Sequence, residues 1–200
     1  MDLPNAGQSQ SLCPSSVETQ NLHLRVPRTA DAAALSRLVT PSVSRWVASW
    51  AFPFTQQRAA ERISTSRKAA AGGLALPYVI ESKQDGQLLG WIGVTRQDGT
   101  ERTAMLGYWL AEHHHGRGFM REASRAVVRT AFDVMDLDVL EAAAQPANAA
   151  SFAVLAGCGM RRVGERHVYA PSRGQDELCI VYSMTRSQFG DLQIHGSATS

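Results

Sequence analysis

Leu110-Ala111-Glu112-His113-His114-His115-Gly116-Arg117-Gly118-Phe119-Met120 is where the apolar pattern of this 200-residue chain changes period. Upstream, residues 103–110 read as a strand. Downstream, Phe119, Met120, Ala123, Val127, Ala131 and Val134 fall on one face of a helix that runs to about residue 135. Such a junction leaves the first helical N–H groups without intrahelical partners and turns the positive end of the helix dipole toward the loop. Glycines at 116 and 118 let an anion approach the backbone, because no side chain stands in the way. A pyrophosphate is the natural occupant, although two glycines also serve a loop that merely has to turn. A single GxG satisfies neither the dinucleotide fingerprint nor the P-loop signature.

On the N-terminal side, Leu22, Leu24 and Val26 alternate in a first strand over residues 21–26. Thr29 is placed to cap a helix with Ala30, Ala33, Ala34 and Leu38 on one stripe, ending near Pro41. A helical stretch over residues 42–48 leads into Trp50-Ala51-Phe52-Pro53-Phe54, and Thr55 caps a helix that Gly72-Gly73 stops. Residues 77–82 and 88–95 form a hairpin around Asp85-Gly86, and Asp98-Gly99 turns the chain into the strand that ends at Leu110. After the long helix come a strand (139–144), a helix (148–156) closed by Gly157, and strands at 160–169 and 178–184. This order describes an α/β (α+β) domain, a mixed sheet with helices on its faces. Residues 1–20 and 187–200 are polar and poor in large apolar groups, which predicts a disordered leader and a flexible tail around a folded domain over 21–186.

One domain of this length with 44% hydrophobic residues needs neither disulfide nor metal to fold. Twenty Lys+Arg against 18 Asp+Glu leave a net charge of +2, too weak to argue for nucleic acid or a membrane surface as partner. Cys13, Cys158 and Cys179 are an odd set without a CxxC pair, and read as reduced apolar fillers. Without a signal peptide or a run near 18 apolar residues, a cytoplasmic address is expected. His113, His114 and His115 invite a metal, but on a turn they splay apart, and no Cys or carboxylate stands at ligand spacing beside them. No metal is expected.

Gly107-Tyr108-Trp109-Leu110, Gly116-Arg117-Gly118, and Pro146-Ala147-Asn148-Ala149-Ala150-Ser151 followed by Leu155 and Gly159 together resemble the GNAT superfamily of N-acetyltransferases. Their wording is most similar to its ribosomal-protein N-terminal, Rim-type branch. The resemblance implies a mixed, mostly antiparallel sheet with helices on both faces, splayed between the fourth and fifth strands, where Leu110 and the strand from Val139 part. It implies acetyl-CoA as acetyl donor, held by a Q/R-x-x-G-x-G/A turn that residues 113–118 match, with His113 standing where Gln or Arg is usual. Main-chain groups near Leu110 would pair with the pantetheine arm, Asn148 would contact it, and Ser151 would lie near the sulfur. His115, Gly116, Arg117, Gly118, Phe119, Met120 and Arg121 complete the cofactor site, with Arg117 and Arg121 facing phosphates. Arg125 and Arg129 read as a solvated face. Trp46, Trp50, Phe52 and Phe54 lie in the region that walls the acceptor site in this family; Trp50 and Phe52 are the substrate-binding candidates, with a small core beneath the helices as the other reading.

Acetyl transfer from a thioester needs a neutral amine, a donor for the oxyanion and a proton for the departing thiolate. An α-amine has a pKa of about 7.7–8.0 and a Lys amine about 10.4, so an N-terminal acceptor needs less help. Backbone N–H groups near Trp109-Leu110 are the oxyanion donors expected. By similarity Ser151 protonates the sulfur, with Tyr108 as second acid. Glu81, Glu101, Glu112 and His114 are the candidates for a base, and nothing in the sequence separates them. The expected reaction is direct acetylation of a protein or peptide α-amine. A small amine acceptor and a non-catalytic acyl-CoA-binding module are the alternatives, and a homodimer stays open.

Overall fold

The helix predicted after the glycine turn is the element against which one face of the sheet is built. In the computed structural model, which describes residues 13–97 and 102–196, it spans Phe119–Val134 and buries Met120, Ala123, Val127, Val128, Ala131 and Phe132. The Asp98-Gly99 turn and Glu101 lie outside the described residues.

Among the described residues eight strands form one sheet: β1 (Ser16–Glu18), β2 (Leu22–Arg25), β3 (Ala75–Ser82), β4 (Leu88–Arg96), β5 (Thr103–Leu110), β6 (Val139–Ala144), β7 (Arg161–Ala170) and β8 (Gln175–Thr185). Their spatial order is β1-β2-β3-β4-β5-β6-β8-β7. Every pairing is antiparallel except that of β5 with β6. Six helices accompany them: α1 (Ala32–Leu38), α2 (Pro41–Ser44), α3 (Gln56–Ala71), α4 (Phe119–Val134), α5 (Ala149–Gly157) and α6 (Arg186–Gly196). Alternation along β3 to β5 sends Tyr78, Ile92, Leu106 and Leu110 into a core with α4, and Val79, Trp91 and Trp109 into a second core with Leu35, Ile63 and Trp50. Helices therefore cover both faces.

The parallel pairing is short. It joins Thr103 to Val139, Ala104 to Leu140 and Met105 to Glu141, and then stops. Beyond it β6 stays paired with β8 as far as Ala144↔Ile180, and β5 stays paired with β4 as far as Leu110↔Gly90. A gap thus opens between residues 106–110 and 142–144. Parallel strands point the same way, so both chains leave the wide end of the gap toward helices that begin there, α4 and α5. The splay lies where the family resemblance puts it; counting β1 makes the pair fifth and sixth.

Four expectations need correction. Thr29 does not cap the first helix: Asp31 accepts from Arg28 N at 2.6 Å and is gripped twice by Arg25 at 2.8 Å, so a 3-10 turn over Thr29–Asp31 precedes α1. The second helical stretch ends at Ser44, whose Oγ donates to Trp50 O at 2.6 Å and accepts from Phe52 N at 3.0 Å, folding the loop back. Part of the expected leader is ordered, since β1 pairs with β2 and Cys13 enters the core. The anchor is Glu122 on α4, which accepts from Thr19 Oγ1 (2.6 Å), Asn21 N (2.7 Å) and Asn21 Nδ2 (2.9 Å). In the expected tail, residues 186–196 form α6, whose Phe189 stacks on Phe132 at 4.7 Å. Residues 1–12 and 197–200 lie outside the description.

Candidate active site

Hydrogen-bond phase decides which main-chain groups face the gap. Ala111 N donates to Leu89 O at 2.9 Å, so residue pairs 111–89, 109–91 and 107–93 are the hydrogen-bonded ones of the β4–β5 ladder. Leu106, Tyr108 and Leu110 occupy the alternate positions, and their N–H and C=O groups point away from β4 into the gap. The oxyanion donors expected near Trp109-Leu110 therefore narrow to Leu110 and Tyr108, because the Trp109 amide is spent on β4. A ligand laid along β5 here meets a strand edge that β6 leaves unpaired, save at Leu110 O, which the His115 ring reaches.

The chain leaves β5 through a 3-10 turn over Glu112–His114. The His115 ring then reaches back, its Nε2 lying 2.9 Å from Leu110 O, and fixes the loop against the strand end. Gly116 and Gly118 both adopt the left-handed conformation, with φ of 73° and 82°, and a Cβ at either would meet nothing within 4 Å. Gly118 is the N-cap of α4 and supplies no side-chain cap, so the amides of Phe119, Met120 and Arg121 have no intrahelical partner. Open space over a bare helix start is the cradle a pyrophosphate requires. Met120 itself points into the core, so its main chain alone can serve a ligand. The Arg117 guanidinium lies over the Phe119 ring at 4.7 Å.

Across the gap, Asn148 caps α5 by accepting from Ser151 N at 3.1 Å. Ser151 Oγ lies 2.9 Å from the Tyr108 hydroxyl, which also approaches Ser151 O at 3.3 Å. This pair ties the β5 wall to the helix after β6. Burial pushes the Tyr108 phenol well above its usual range, and the Ser151 hydrogen bond only partly offsets that. It stays protonated at neutral pH.

A family model described as an acetyltransferase (GNAT) domain matches residues 21–161. The chain belongs to this family, the GNAT acetyltransferases. It is 25% identical to the N-acetyltransferase p20 of Bacillus licheniformis over 86% of this chain and 96% of that protein. Its fold superposes on RimJ of Mycobacterium smegmatis, solved with a CoA disulfide, with a TM-score of 0.76 and 26% identity over 92% of this chain and 95% of that one. The ribosomal-protein-S5-alanine acetyltransferase of Vibrio fischeri, at 22% identity, shares the fold with a TM-score of 0.73 over 85% and 96% of the two chains. The likeness to the ribosomal-protein branch implied by the motifs is thereby matched in three dimensions. As a GNAT member the chain is an acetyl-CoA-dependent N-acetyltransferase.

For a GNAT enzyme the remaining candidates divide cleanly. Arg121 leans on α5, its Nε 3.0 Å from where a Gly157 Cβ would stand. Arg125 and Arg129 lie on the exposed face expected of them, and from there donate to Gly157 O at 2.9 Å and to Gln193 at 2.8 Å, bracing α5 and α6. Glu81 is tied to Arg25 at 2.5 Å on β3, away from the gap. Glu112 is held by Thr40 and Ser42, whose hydroxyls keep its carboxyl below the ordinary range. His114 is buried, with neither ring nitrogen hydrogen-bonded among the described residues, and burial lowers its pKa. No cluster of His, Cys, Asp or Glu able to hold a metal occurs among the described residues. Trp50 faces inward, 5.1 Å from Trp109 and 5.2 Å from Trp91, whereas Phe52 is 55% exposed. The small-core reading holds for Trp50. All three cysteines are free and buried.

Sequence reasoning missed a strap between the α2–α3 loop and the β7–β8 turn. Arg173, in the β7–β8 turn, pairs with Glu177 at 2.5 and 2.7 Å and donates to Ser44 O at 3.2 Å. Ser172 N donates to Ala48 O at 2.9 Å, and Gln145 joins Glu177 at 2.8 Å and Arg45 O at 3.3 Å. The α2–α3 loop is thus tied to the far hairpin. An Arg and a Glu four residues apart was the only local sign of it.

Proposed function

We propose that this chain acetylates the α-amine of a protein or peptide by direct transfer from acetyl-CoA. The observation that carries the reading is the chemistry of the gap. Its walls, residues 106–110 and 142–144, contain no carboxylate at all, while the Tyr108–Ser151 pair offers a proton. A site so equipped suits an amine that is already partly neutral. The turn at Gly116 and Gly118 with the amides of α4 would hold the pyrophosphate, Leu110 and Asn148 the pantetheine arm. The neutral nitrogen attacks the thioester carbonyl; the amides of Tyr108 and Leu110 receive the developing oxyanion. The carbon–sulfur bond then breaks as the hydroxyl pair protonates the sulfur, and the new amide nitrogen gives up its proton through water, restoring the pair. The likeness to RimJ, and 28% identity over 52% of this chain to the putative ribosomal N-acetyltransferase YdaF of Bacillus subtilis, favour a polypeptide acceptor.

Thiol release from acetyl-CoA, run with short peptides bearing free N-termini, the same peptides blocked but containing Lys, and small amines, tests this. Free N-termini are expected to turn over. Turnover of small amines alone would move the acceptor to the small-molecule class. Silence across the panel with acetyl-CoA binding intact would make the chain a binding module.

A further inference from the structure

On the outer side of the strap, a groove of about 410 Å³ runs between α3, the loop before it and the β7–β8 turn, lined among others by Ser49, Phe54, Arg58, Arg62, Ser66 and Ser172. Its charge is unbalanced. Arg62 donates to Ser49 O and lies 4.9 Å over the Trp50 ring; Arg58 donates to Pro53 O at 3.1 Å. Neither guanidinium has a carboxylate within salt-bridge distance among the described residues. The single acidic side chain of the lining, Glu61, is exposed and accepts from Gln57 at 3.0 Å. Burial lowers the pKa of Arg62 with no anion to offset it. A half-buried, uncompensated cation in a hydroxyl-lined groove is a place for an anion.

The groove also lies at a telling distance from the chemistry. Arg62 touches Trp50, and Trp50 touches Trp109 of β5, in successive steps of 4.9 and 5.1 Å. The guanidinium therefore lies at most about 10 Å from the ring of Trp109, a side chain that β5 sends to this face of the sheet. An extended peptide rises roughly 3.3 Å per residue, so about three residues cover that span.

We propose that this groove receives a carboxylate side chain of the acceptor polypeptide, with Arg62 as its ion partner and Arg58 at the rim. Acidic residues at about the second to fourth positions of the acceptor then raise its affinity. This rests on the reading that the acceptor is a polypeptide α-amine, since only a chain places a side chain that far from the reacting nitrogen. The selection acts on binding, because the contact is the same before and during transfer.

Steady-state thiol release is measured with paired octapeptides that share an N-terminal Ser and differ only in Asp or Glu against Asn or Gln at positions 2–4. The acidic peptide is expected to show a KM lower by roughly tenfold or more at similar kcat, an advantage that shrinks as salt is raised. In Arg62→Gln the KM difference between the peptides collapses. Because Arg62 also packs on Trp50, Arg58→Gln and Thr65→Glu, at exposed positions of the groove, serve if that variant fails to fold: the first narrows the difference and the second inverts it. Equal KM values for both peptides on the wild-type enzyme, or a preference that survives these substitutions, would overturn the inference and leave the α-amine reading standing. If no peptide is acetylated while small amines are, the α-amine reading falls and takes this inference with it.

Discussion

Replacing Gly118 by Ala separates the fold of the cofactor turn from its function. At φ 82° an alanine is strained, and left-handed geometry costs roughly 1–2 kcal/mol for a residue with a Cβ. Nothing lies within 4 Å of the added methyl, so no clash adds to that. For a chain of this size roughly 2–4 °C of Tm is lost per kcal/mol, so the variant should melt about 2–8 °C lower and still fold. Ligand binding should suffer more. The methyl projects where a pyrophosphate approaches the bare α4 amides, and each charge-assisted hydrogen bond lost is worth about 1.5–3 kcal/mol. A loss of one such bond weakens acetyl-CoA about 10- to 100-fold, which calorimetric titration measures directly. Gly174→Ala is the control: its φ is 65°, its surroundings are equally open, and it sits in the β7–β8 turn away from the cradle. It should lose similar Tm and keep wild-type affinity. If Gly118→Ala binds acetyl-CoA as tightly as Gly174→Ala does, the turn does not hold the carrier and the account of the site fails.

Tyr108→Phe and Ser151→Ala should each lower kcat by roughly 100-fold while sparing acetyl-CoA affinity, and the double variant should be little worse than either, because the two hydroxyls act as one donor at 2.9 Å; multiplicative losses in thiol-release assays would show two separate roles. Glu177 lies in the strap, where hydrogen bonds led by that from Arg173 pull its carboxyl from 4.5 down to about 2. Its folded pKa is depressed, so the stability it adds is present above pH 4.5 and is lost as pH falls toward 2, amounting to at most about 3 kcal/mol. Melting curves between pH 2 and 7 should therefore converge with those of Glu177→Gln at the acid end and diverge above it. Arg25→Leu leaves Asp31 buried without its bidentate partner, and should cost about 3–5 kcal/mol in urea denaturation, whereas Arg102→Leu, whose ion pairs are exposed, should cost under about 1 kcal/mol.

The strands at 103–110 and 139–144 were legible to the residue and the helix after Gly118 to within one, because long runs with one clear period have only one way to bury their apolar face. Elements at the ends were not. β1 has one apolar side chain, Val17, and exists because Glu122, more than a hundred residues away, collects three donors from the turn after it. The terminal helix is polar by composition and is held by partners far off in sequence: the stacked ring of Phe132, Leu137 O at 2.8 Å from Arg186, and Arg129 at 2.8 Å from Gln193. The glycine turn before α4 could be read because glycines with a positive φ leave a mark in sequence. The Tyr108–Ser151 pair could be named only through the family resemblance, since 43 residues separate its partners. Trp50 was ambiguous for a physical reason: an indole beside an acceptor loop looks the same in sequence whether it faces the groove or the sheet.

The gap walls, residues 106–110 and 142–144, carry no carboxylate, and that bears on which amine can react there unaided. At pH 7 an amine of pKa 8 is about one-tenth neutral, whereas a lysine of pKa 10.4 is neutral in roughly one molecule in 2,500. Without a general base the first substrate forfeits about 1.4 kcal/mol and the second more than 4 kcal/mol before any bond is made. A carboxylate at the gap would recover much of that difference, but the acids nearest in sequence are spent elsewhere. Glu141, at the closed end, pairs with Arg166 at 2.8 Å and accepts from Gln97, and Glu112 is bound to Thr40. Desolvation offers another route, since a dry pocket lowers an amine pKa, but the same burial weakens binding of the charged form that predominates in solution. Walls without acids leave in place the difference of about 250-fold in neutral fraction that an α-amine and a lysine bring with them.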